Sequence, residues 1–388
     1  MKATKKSYVS KTVRDLKPSG IRRFFDLAAG MEGVISLGVG EPDFVTPWHV
    51  RDAAIRSIED GYTSYTPNAG LLELREEITN YVKNRFHVEY SPSEVIVTVG
   101  ASSAIDTAMR TILDPGDEVI VVEPCFVSYS PMVTLAGGVP VPVQALKEND
   151  FKILPSQIEA AITDKTKALM ICFPNNPTGT LLNKQELEAL AEIVKKYDLL
   201  VISDEIYAEL TYDEQFTSMA SLPGMRERTI LVNGFSKAFA MTGWRLGFVC
   251  APKEISKEML KVHQYALMCA STASQYAGIE ALRNGEEEVE KMVKSYRLRR
   301  NYIVNSFNEM GLTCHMPGGA FYAFPSIEST GLSSQEFAER LLKEQSVAVV
   351  PGDVFGESGE GHIRCSYATS MEELREAMKR IKQFIDSL

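Results

Sequence analysis

This 388-residue sequence predicts an α/β fold: a large domain with a mainly parallel sheet between helices, joined to a smaller α+β domain. Two observations carry that reading. From Glu94 to Val249, short runs rich in Val, Ile and Leu alternate with amphipathic stretches, the pattern of parallel strands covered on both faces. After Pro252 the alternation gives way to helical spacing, then to strands, turns and two amphipathic helices. The length suffices for two or three lobes around large cores, and no repeat or low-complexity linker separates them. The boundaries are read as an N-terminal arm and first segment of the small domain over 1–45, a large domain over 46–285 and a small C-terminal domain over 286–388.

A Lys- and Ser-rich arm opens the chain, and apolar spacing predicts a helix within 19–28. Over 35–44, Gly38 and Gly40 precede Pro42 and mark a loop whose backbone can face a ligand. Thr46-Pro47 reads as an N-cap hydroxyl with Pro at the first helical position, opening a helix to about Asp60. Residues 62–70 form a loop, and a helix follows from Leu71 to about Phe86. Strands are predicted over 94–99, 118–122, 167–172, 199–203, 229–232 and 246–249, with helices over 100–113, 128–136, 155–163 and 184–196. A long charged helix spans about 286–310, with Glu287, Glu288 and Lys291 as a solvated face. Residues 361–367 read as a strand, and a helix begins near Met371.

Composition narrows the function. The formal net charge is −10 with no long basic run, which argues against nucleic acid or an anionic membrane as main partner. The six Cys lie far apart without a C-x-x-C pair, as expected of reduced thiols in a cytoplasmic protein. The five His lack metal-ligand spacing, so no metal site is expected. Met1 to Lys6 lacks the apolar core of a signal peptide, and no stretch is long and apolar enough to span a bilayer.

The chemistry gathers where strands end, the place where open α/β sheets bind ligands. Gly100-Ala101-Ser102 opens a helix whose free N–H groups and dipole suit a phosphate, or simply cap it. Asn175-Asn176-Pro177-Thr178-Gly179 is a turn able to aim an amide at a ligand oxygen. Asp204 stands where the run 199–202 stops; a carboxylate there needs a cationic partner such as a protonated pyridine nitrogen, unless it caps a following helix. Tyr207 follows three residues later, and Phe126 adds a ring after another strand. The stretch 233–248 holds Ser236, Lys237 and Arg245 among glycines and apolar residues. A Lys so placed can have a lowered pKa and act as a nucleophilic amine, and Arg offers a planar fork to phosphate. Amine and phosphate anchor together suggest pyridoxal 5'-phosphate. Arg364, on the late strand, can hold a carboxylate in a bidentate pair.

These motifs, from Gly38-Val39-Gly40-Glu41-Pro42-Asp43 to Arg364, resemble the fold-type I pyridoxal-phosphate-dependent aminotransferases of classes I and II, nearest the aspartate, alanine and aromatic amino-acid group. Ser236-Lys237 with Thr242-Gly243-Trp244-Arg245-Leu246-Gly247 is the most specific of them. The resemblance implies that Lys237 forms the Schiff base and then moves protons, and that Asp204 pairs with the pyridinium nitrogen. Tyr207 and Asn176 would bond the ring oxygen, and Phe126 would stack on the ring. Gly100, Ala101, Ser102, Ser236 and Arg245 would hold the phosphate, joined by Tyr65 from the neighbouring subunit of a homodimer. Arg364 would bind the substrate α-carboxylate, assisted by Gly40 and Asn176. The implied activity is transfer of an amino group between an L-amino acid and a 2-oxo acid in a ping-pong cycle. A β-lyase of the same fold, cleaving a C–S bond, uses the same cofactor motifs. A hydrolase reading of Gly234-Phe235-Ser236-Lys237-Ala238 needs a strand–turn–helix, and the arm before Gly38 is too short for a DNA-binding module. No Arg is identified for a second substrate carboxylate, so aspartate, alanine, aromatic and broad specificity all stay open.

Overall fold

A computed structural model describes residues 7–18, 20 and 31–388. The helix expected within 19–28 falls, Gly20 apart, outside them. The arm carries a short helix, α1 (Lys11–Asp15). Next come strand β1 (Ile35–Ser36) and helices α2 (Trp48–Glu59) and α3 (Leu72–Phe86). The central sheet is built from β2 (Val95–Thr98), β3 (Glu118–Glu123), β4 (Val139–Gln144), β5 (Thr166–Cys172), β6 (Leu200–Asp204), β7 (Thr229–Gly234) and β8 (Gly247–Cys250). Between them run α4 (Ala101–Ile112), α5 (Tyr129–Leu135), α6 (Pro155–Ala161) and α7 (Lys184–Lys196).

The seven strands lie in the order β2-β8-β7-β6-β5-β3-β4. Neighbours from β7 to β4 pair in parallel, and β8 runs antiparallel between β2 and β7. Every residue of β2, β7 and β8 is buried, as the continuous apolar runs require of strands covered on both faces. β4 was not predicted. Its sequence, Val-Pro-Val-Pro-Val-Gln, carries two prolines that cannot donate to a ladder. It is tolerated because β4 is the edge strand with β3 as its single neighbour.

Downstream lie α8 (Lys253–Ala266), α9 (Thr272–Asn284) and the long α10 (Glu286–Glu309). The tail adds β9 (Tyr322–Ala323), α11 (Ser334–Gln345), β10 (Val347–Ala348), β11 (Val350–Pro351), β12 (Ile363–Ser366) and α12 (Met371–Asp386). In α12, Leu374, Ala377, Met378, Ile381 and Phe384 recur at helical spacing and are buried, and the Ser370 hydroxyl caps the N-terminus by accepting from the Glu373 N–H. β1 pairs in parallel with β10, so the first strand among the described residues joins the tail rather than the central sheet.

Thr46 is not the expected N-cap. α2 starts at Trp48 after Pro47 without a side-chain cap. The Thr46 hydroxyl instead donates to the Ala240 carbonyl (2.6 Å) and accepts from the Trp244 indole (3.0 Å), tying the chain entering α2 to the turn after Lys237.

Because β8 is antiparallel, its start lies beside the ends of β2 and β7: Gly247 pairs with both Thr98 and Gly234. A Cβ on Gly247 would stand 2.6 Å from the Gly100 carbonyl carbon and 2.7 Å from the Ala101 nitrogen. Backbone cannot swing aside as a side-chain end can, so Gly247→Ala is expected to destabilise by about 1–3 kcal/mol. Urea unfolding checks this, and an unchanged midpoint would show that the contact is slack.

Candidate active site

The expected groups converge at the carboxyl ends of the strands. A cavity of about 290 Å3 is lined by Gly40, Ala101, Ser102, Phe126, Asn176, Asp204, Tyr207, Ser236, Lys237, Arg245 and Arg364, with Glu41, Ile105, Tyr129, Ile206, Thr242 and Tyr322 completing the wall. Each side chain arrives by a short route. β6 ends on Asp204; Lys237 follows the end of β7; Arg245 precedes β8; Asn176 sits in the turn after β5; Phe126 follows β3. A wider groove of about 960 Å3, bordered by Tyr81, Arg85, Glu209 and Glu286, takes in none of these groups, and its Arg85 is already paired with both glutamates.

At one end of the cavity, α4 presents its N-terminus without a side-chain cap. Gly100 precedes it at φ +77°, a conformation that favours glycine, and a Cβ there would lie 2.6 Å from an Arg245 nitrogen. Gly100 thus admits the guanidinium beside the first turn of the helix although it does not line the cavity. Free N–H groups, a helix dipole and a guanidinium together make an anion site. At the far end stands Asp204, buried. Its Oδ1 accepts from the Ile206 N–H (3.2 Å) and its Oδ2 from the Tyr129 hydroxyl (2.7 Å). No helix follows Asp204, so the capping alternative is removed.

Burial raises the Asp204 carboxyl to about 6, opposed by the Tyr129 hydroxyl, the Ile206 N–H and the charge of Lys237. Burial also moves Lys237, down to about 8; Glu41 and Asp204 pull it back up, while Arg364 and Arg245 push it further down. The Lys237 Nζ donates to the Gly40 carbonyl at 2.6 Å. The amine therefore keeps a proton near neutral pH and releases it far more readily than an exposed lysine.

Arg364 is buried in β12 and held flat, with its guanidinium carbon 4.5 Å from the Tyr322 ring centre and 4.9 Å from that of Phe355. Nη1 donates to Asn176 Oδ1 (2.8 Å) and Nη2 to the Gly38 carbonyl (2.6 Å), while the buried Nε has no partner among the described residues. Asn175 is the structural half of the Asn pair: its Oδ1 accepts from the Thr178 N–H and hydroxyl and shapes the turn that presents Asn176.

Two site residues were missed in the sequence. Tyr129 bonds Asp204, and Tyr322 meets Tyr207 hydroxyl to hydroxyl at 2.8 Å and stands where a Cβ on Gly40 would fall (2.7 Å). The Gly318-Gly319 pair leading into Phe321-Tyr322 was the available signal for a tight turn feeding a site strand. Tyr65 does not reach the cavity of its own chain and is 80% exposed. Among the described residues no cluster could hold a metal ion, and no helix is long and apolar enough to cross a membrane.

In the apoprotein, the reaction of Lys237 with an amine reagent, read by peptide mass spectrometry across pH, is expected to show a midpoint near 8. Because Glu41 holds the value up, Glu41→Gln should lower the midpoint and enlarge the neutral fraction at pH 7. A midpoint near the ordinary lysine value of about 10.4 would contradict the desolvation argument.

Residues 32–381 match the family described as aminotransferase class I and II. The Bacillus subtilis (strain 168) protein YugH is 64% identical over 98% of this chain and 98% of its own length. An aspartate aminotransferase of Pyrococcus abyssi is 50% identical, with 95% of this chain and 96% of the relative covered. The crystal structure of an aromatic aminotransferase from Pyrococcus horikoshii OT3 superposes with a TM-score of 0.90 at 47% identity, covering 95% of this chain and 99% of that one. With an amine, a buried carboxylate and an anion site set around one cavity of that same fold, the chain belongs to the class I and II aminotransferases.

Proposed function

We propose that this enzyme exchanges the amino group of an L-amino acid with the oxo group of a 2-oxo acid in two half-reactions at the cavity around Lys237. Class I and II aminotransferases depend on pyridoxal phosphate. The donor set fits that group. The anion site of Gly100, Ala101, Ser102, Ser236 and Arg245 suits its phosphate, and Asp204 its ring nitrogen. Tyr207 and Asn176 suit its ring oxygen, Phe126 its face and Lys237 its aldehyde. When bound, the cofactor supplies an aldehyde carbon that exchanges amines and a ring that accepts electron density from the substrate α-carbon.

The protein's part is to bind, orient and move protons. Asp204, ionised above about pH 6, presents a buried negative charge and favours a protonated ring nitrogen. Tyr129 keeps that carboxylate from drifting further toward its neutral form. Lys237 Nζ takes the substrate α-proton and returns it, a general-base task suited to an amine whose pKa is brought near 8. Arg364 receives the α-carboxylate with donors already oriented by Asn176, Gly38 and two rings; Gly40 and Asn176 assist from the same wall. The observation that carries the reading is the Lys237 amine, half-buried in one cavity with Asp204 and the uncapped helix end.

The working unit proposed is a homodimer. Tyr62, Tyr65, Tyr265, Leu267 and Met268 are exposed. They belong to segments already held together by the Asn68 amide on the Met268 carbonyl (3.0 Å) and by stacking of Tyr62 on Tyr276. A patch of this kind calls for a covering partner, and a second copy would let Tyr65 reach the neighbouring phosphate site. We read 1–45 with 286–388 as the smaller domain, which the β1–β10 pairing supports, and 46–285 as the larger. A cytoplasmic setting is supported by six free cysteines, five of them buried. Aspartate and aromatic aminotransferases both stand among the relatives, so amino donor and acceptor are left to assay.

Purified protein should be yellow, and Lys237→Ala should lose the imine that hydride reduces. A colourless protein that takes up no pyridoxal phosphate would sink the proposal. A panel of amino acids against 2-oxoglutarate and pyruvate should yield new amino acids; release of ammonia and pyruvate instead would mark the lyase. For Arg364→Ala, kcat/KM should fall about a hundredfold, roughly 2.7 kcal/mol in the transition state. Unchanged kcat/KM would remove Arg364 from the site.

A further inference from the structure

The segment from Gly38 to Asp43 touches both reactive groups through its backbone. Arg364 Nη2 donates to the Gly38 carbonyl and Lys237 Nζ to the Gly40 carbonyl, each at 2.6 Å. At its start the segment is fixed by the tail: the Leu37 N–H donates to Ala348 and the Leu37 carbonyl accepts from the Ser366 N–H. What fixes its other end lies outside the cavity. Arg299, on α10, donates from Nη1 to both Asp43 oxygens at 2.7 and 2.8 Å, and the Tyr296 hydroxyl adds a contact at 3.3 Å. The Arg299 side chain is 11% exposed, and its guanidinium carbon lies 5.5 Å from the Phe44 ring centre and 5.4 Å from that of Tyr296. α10 is itself anchored one residue on, where Arg300 donates to the Pro317 carbonyl and to Asp213.

We propose that Asp43 and Arg299 are positioning residues: their ion pair clamps the 38–43 segment to α10, so that two of its carbonyls meet Lys237 and Arg364. The inference rests on the reading of those two groups as amine and carboxylate receptor. The two rings shield the Arg299 side of the pair while the Asp43 side chain stays 26% exposed, so solvent screening weakens the pair in part and not in full. Beyond Phe44 the chain is tied again by Thr46, which bonds Ala240 and Trp244, and the Thr242 hydroxyl reaches Glu41 at 3.2 Å; among the described residues the Arg299 pair is the ionic contact on the segment's far end. Of the two acceptors that orient Arg364, one is the Gly38 carbonyl. Loosening the segment lets the guanidinium turn. Ground state and transition state then lose carboxylate binding alike, which raises KM more than it lowers kcat.

The test uses holoenzyme carrying Asp43→Asn, Arg299→Gln and the two together. KM for the amino donor should rise about tenfold in each single variant with kcat within about threefold, and hydrogen exchange should quicken over residues 38–44 while the central strands keep their protection. The double variant should be no worse than the worse single, because one contact can be lost only once. Arg299→Lys, which keeps the charge and loses the fork, should fall between and serves if Arg299→Gln does not fold. Unchanged exchange over 38–44, unchanged KM despite faster exchange, or additive effects in the double variant would each overturn the proposal. If instead Arg364→Ala is silent while the exchange effect stands, the clamp exists and the reading of Arg364 is what fails.

Discussion

A contact between bare backbones sets the geometry on which the site depends. Gly247 lies where three strand ends meet, against the Gly100 carbonyl carbon and the Ala101 nitrogen, with Gly234 as its partner on the other side. Any side chain there would push β8 away from α4. The uncapped end of α4 would then separate from Arg245, which precedes β8, and from Lys237, which follows β7. Gly100 makes the same kind of room just past the end of the neighbouring strand β2, where Arg245 occupies the space a Cβ would take. Strong ligand groups can crowd into one cavity only because the backbone beneath them carries no bulk.

Crowding in a largely buried space has an electrostatic consequence. Burial pushes Lys237 down to about 8 and Asp204 up to about 6, so each is drawn toward its neutral form while the other's charge resists. Near pH 7 both then lean toward their charged forms, Asp204 as a standing negative charge and Lys237 as an amine that gives up a proton readily. Glu205, the next residue, makes the contrast. Successive residues at a strand end point to opposite faces. Glu205 turns away from the cavity; there Ser203, Ser218 and the Met219 N–H serve one of its oxygens, the other has no partner among the described residues, and burial raises it to about 8. Burial thus raises both adjacent carboxyls, Glu205 further than Asp204, and the one kept closer to its ionised form is the one facing the site.

Groups that follow a strand within a few residues were legible in the sequence: Asp204, Lys237, Asn176, Phe126 and the 100–102 turn need only a strand, its end and the next residues. The site's other members depend on contacts between distant parts of the chain. Tyr129 reaches Asp204 across 75 residues and Tyr322 reaches Tyr207 across 115, and neither separation leaves a local pattern. Thr46 looked like a cap because the local rule concerns a hydroxyl before Pro47, whereas its hydrogen bonds go to Ala240 and Trp244. β4 escaped because edge position, which makes its prolines harmless, is a property of the assembled sheet.

The same distinction explains why reaction type is easier to read than substrate. In the proposed reading the part of the cofactor cage that this copy supplies comes from residues 100–245, most of them just past a strand end, with Arg245 just before β8. The wall that would judge the substrate is drawn from both chain ends: Gly38 meets Arg364 across 326 residues, and Gly40 meets Lys237 across 197. Arg364 spends two donors on orientation and keeps a buried Nε without a partner among the described residues. Apart from it, the cations lining the cavity are Lys237 and Arg245, both taken up by the cofactor in this reading. One guanidinium can serve one carboxylate. Any preference beyond the α-carboxylate must therefore come from the shape of the 38–43 loop, from Ile105 and Tyr322, or from what a second copy brings alongside Tyr65. Surfaces of this kind form only after folding, and in the proposed dimer after assembly, so selectivity leaves a weaker trace in sequence than chemistry does.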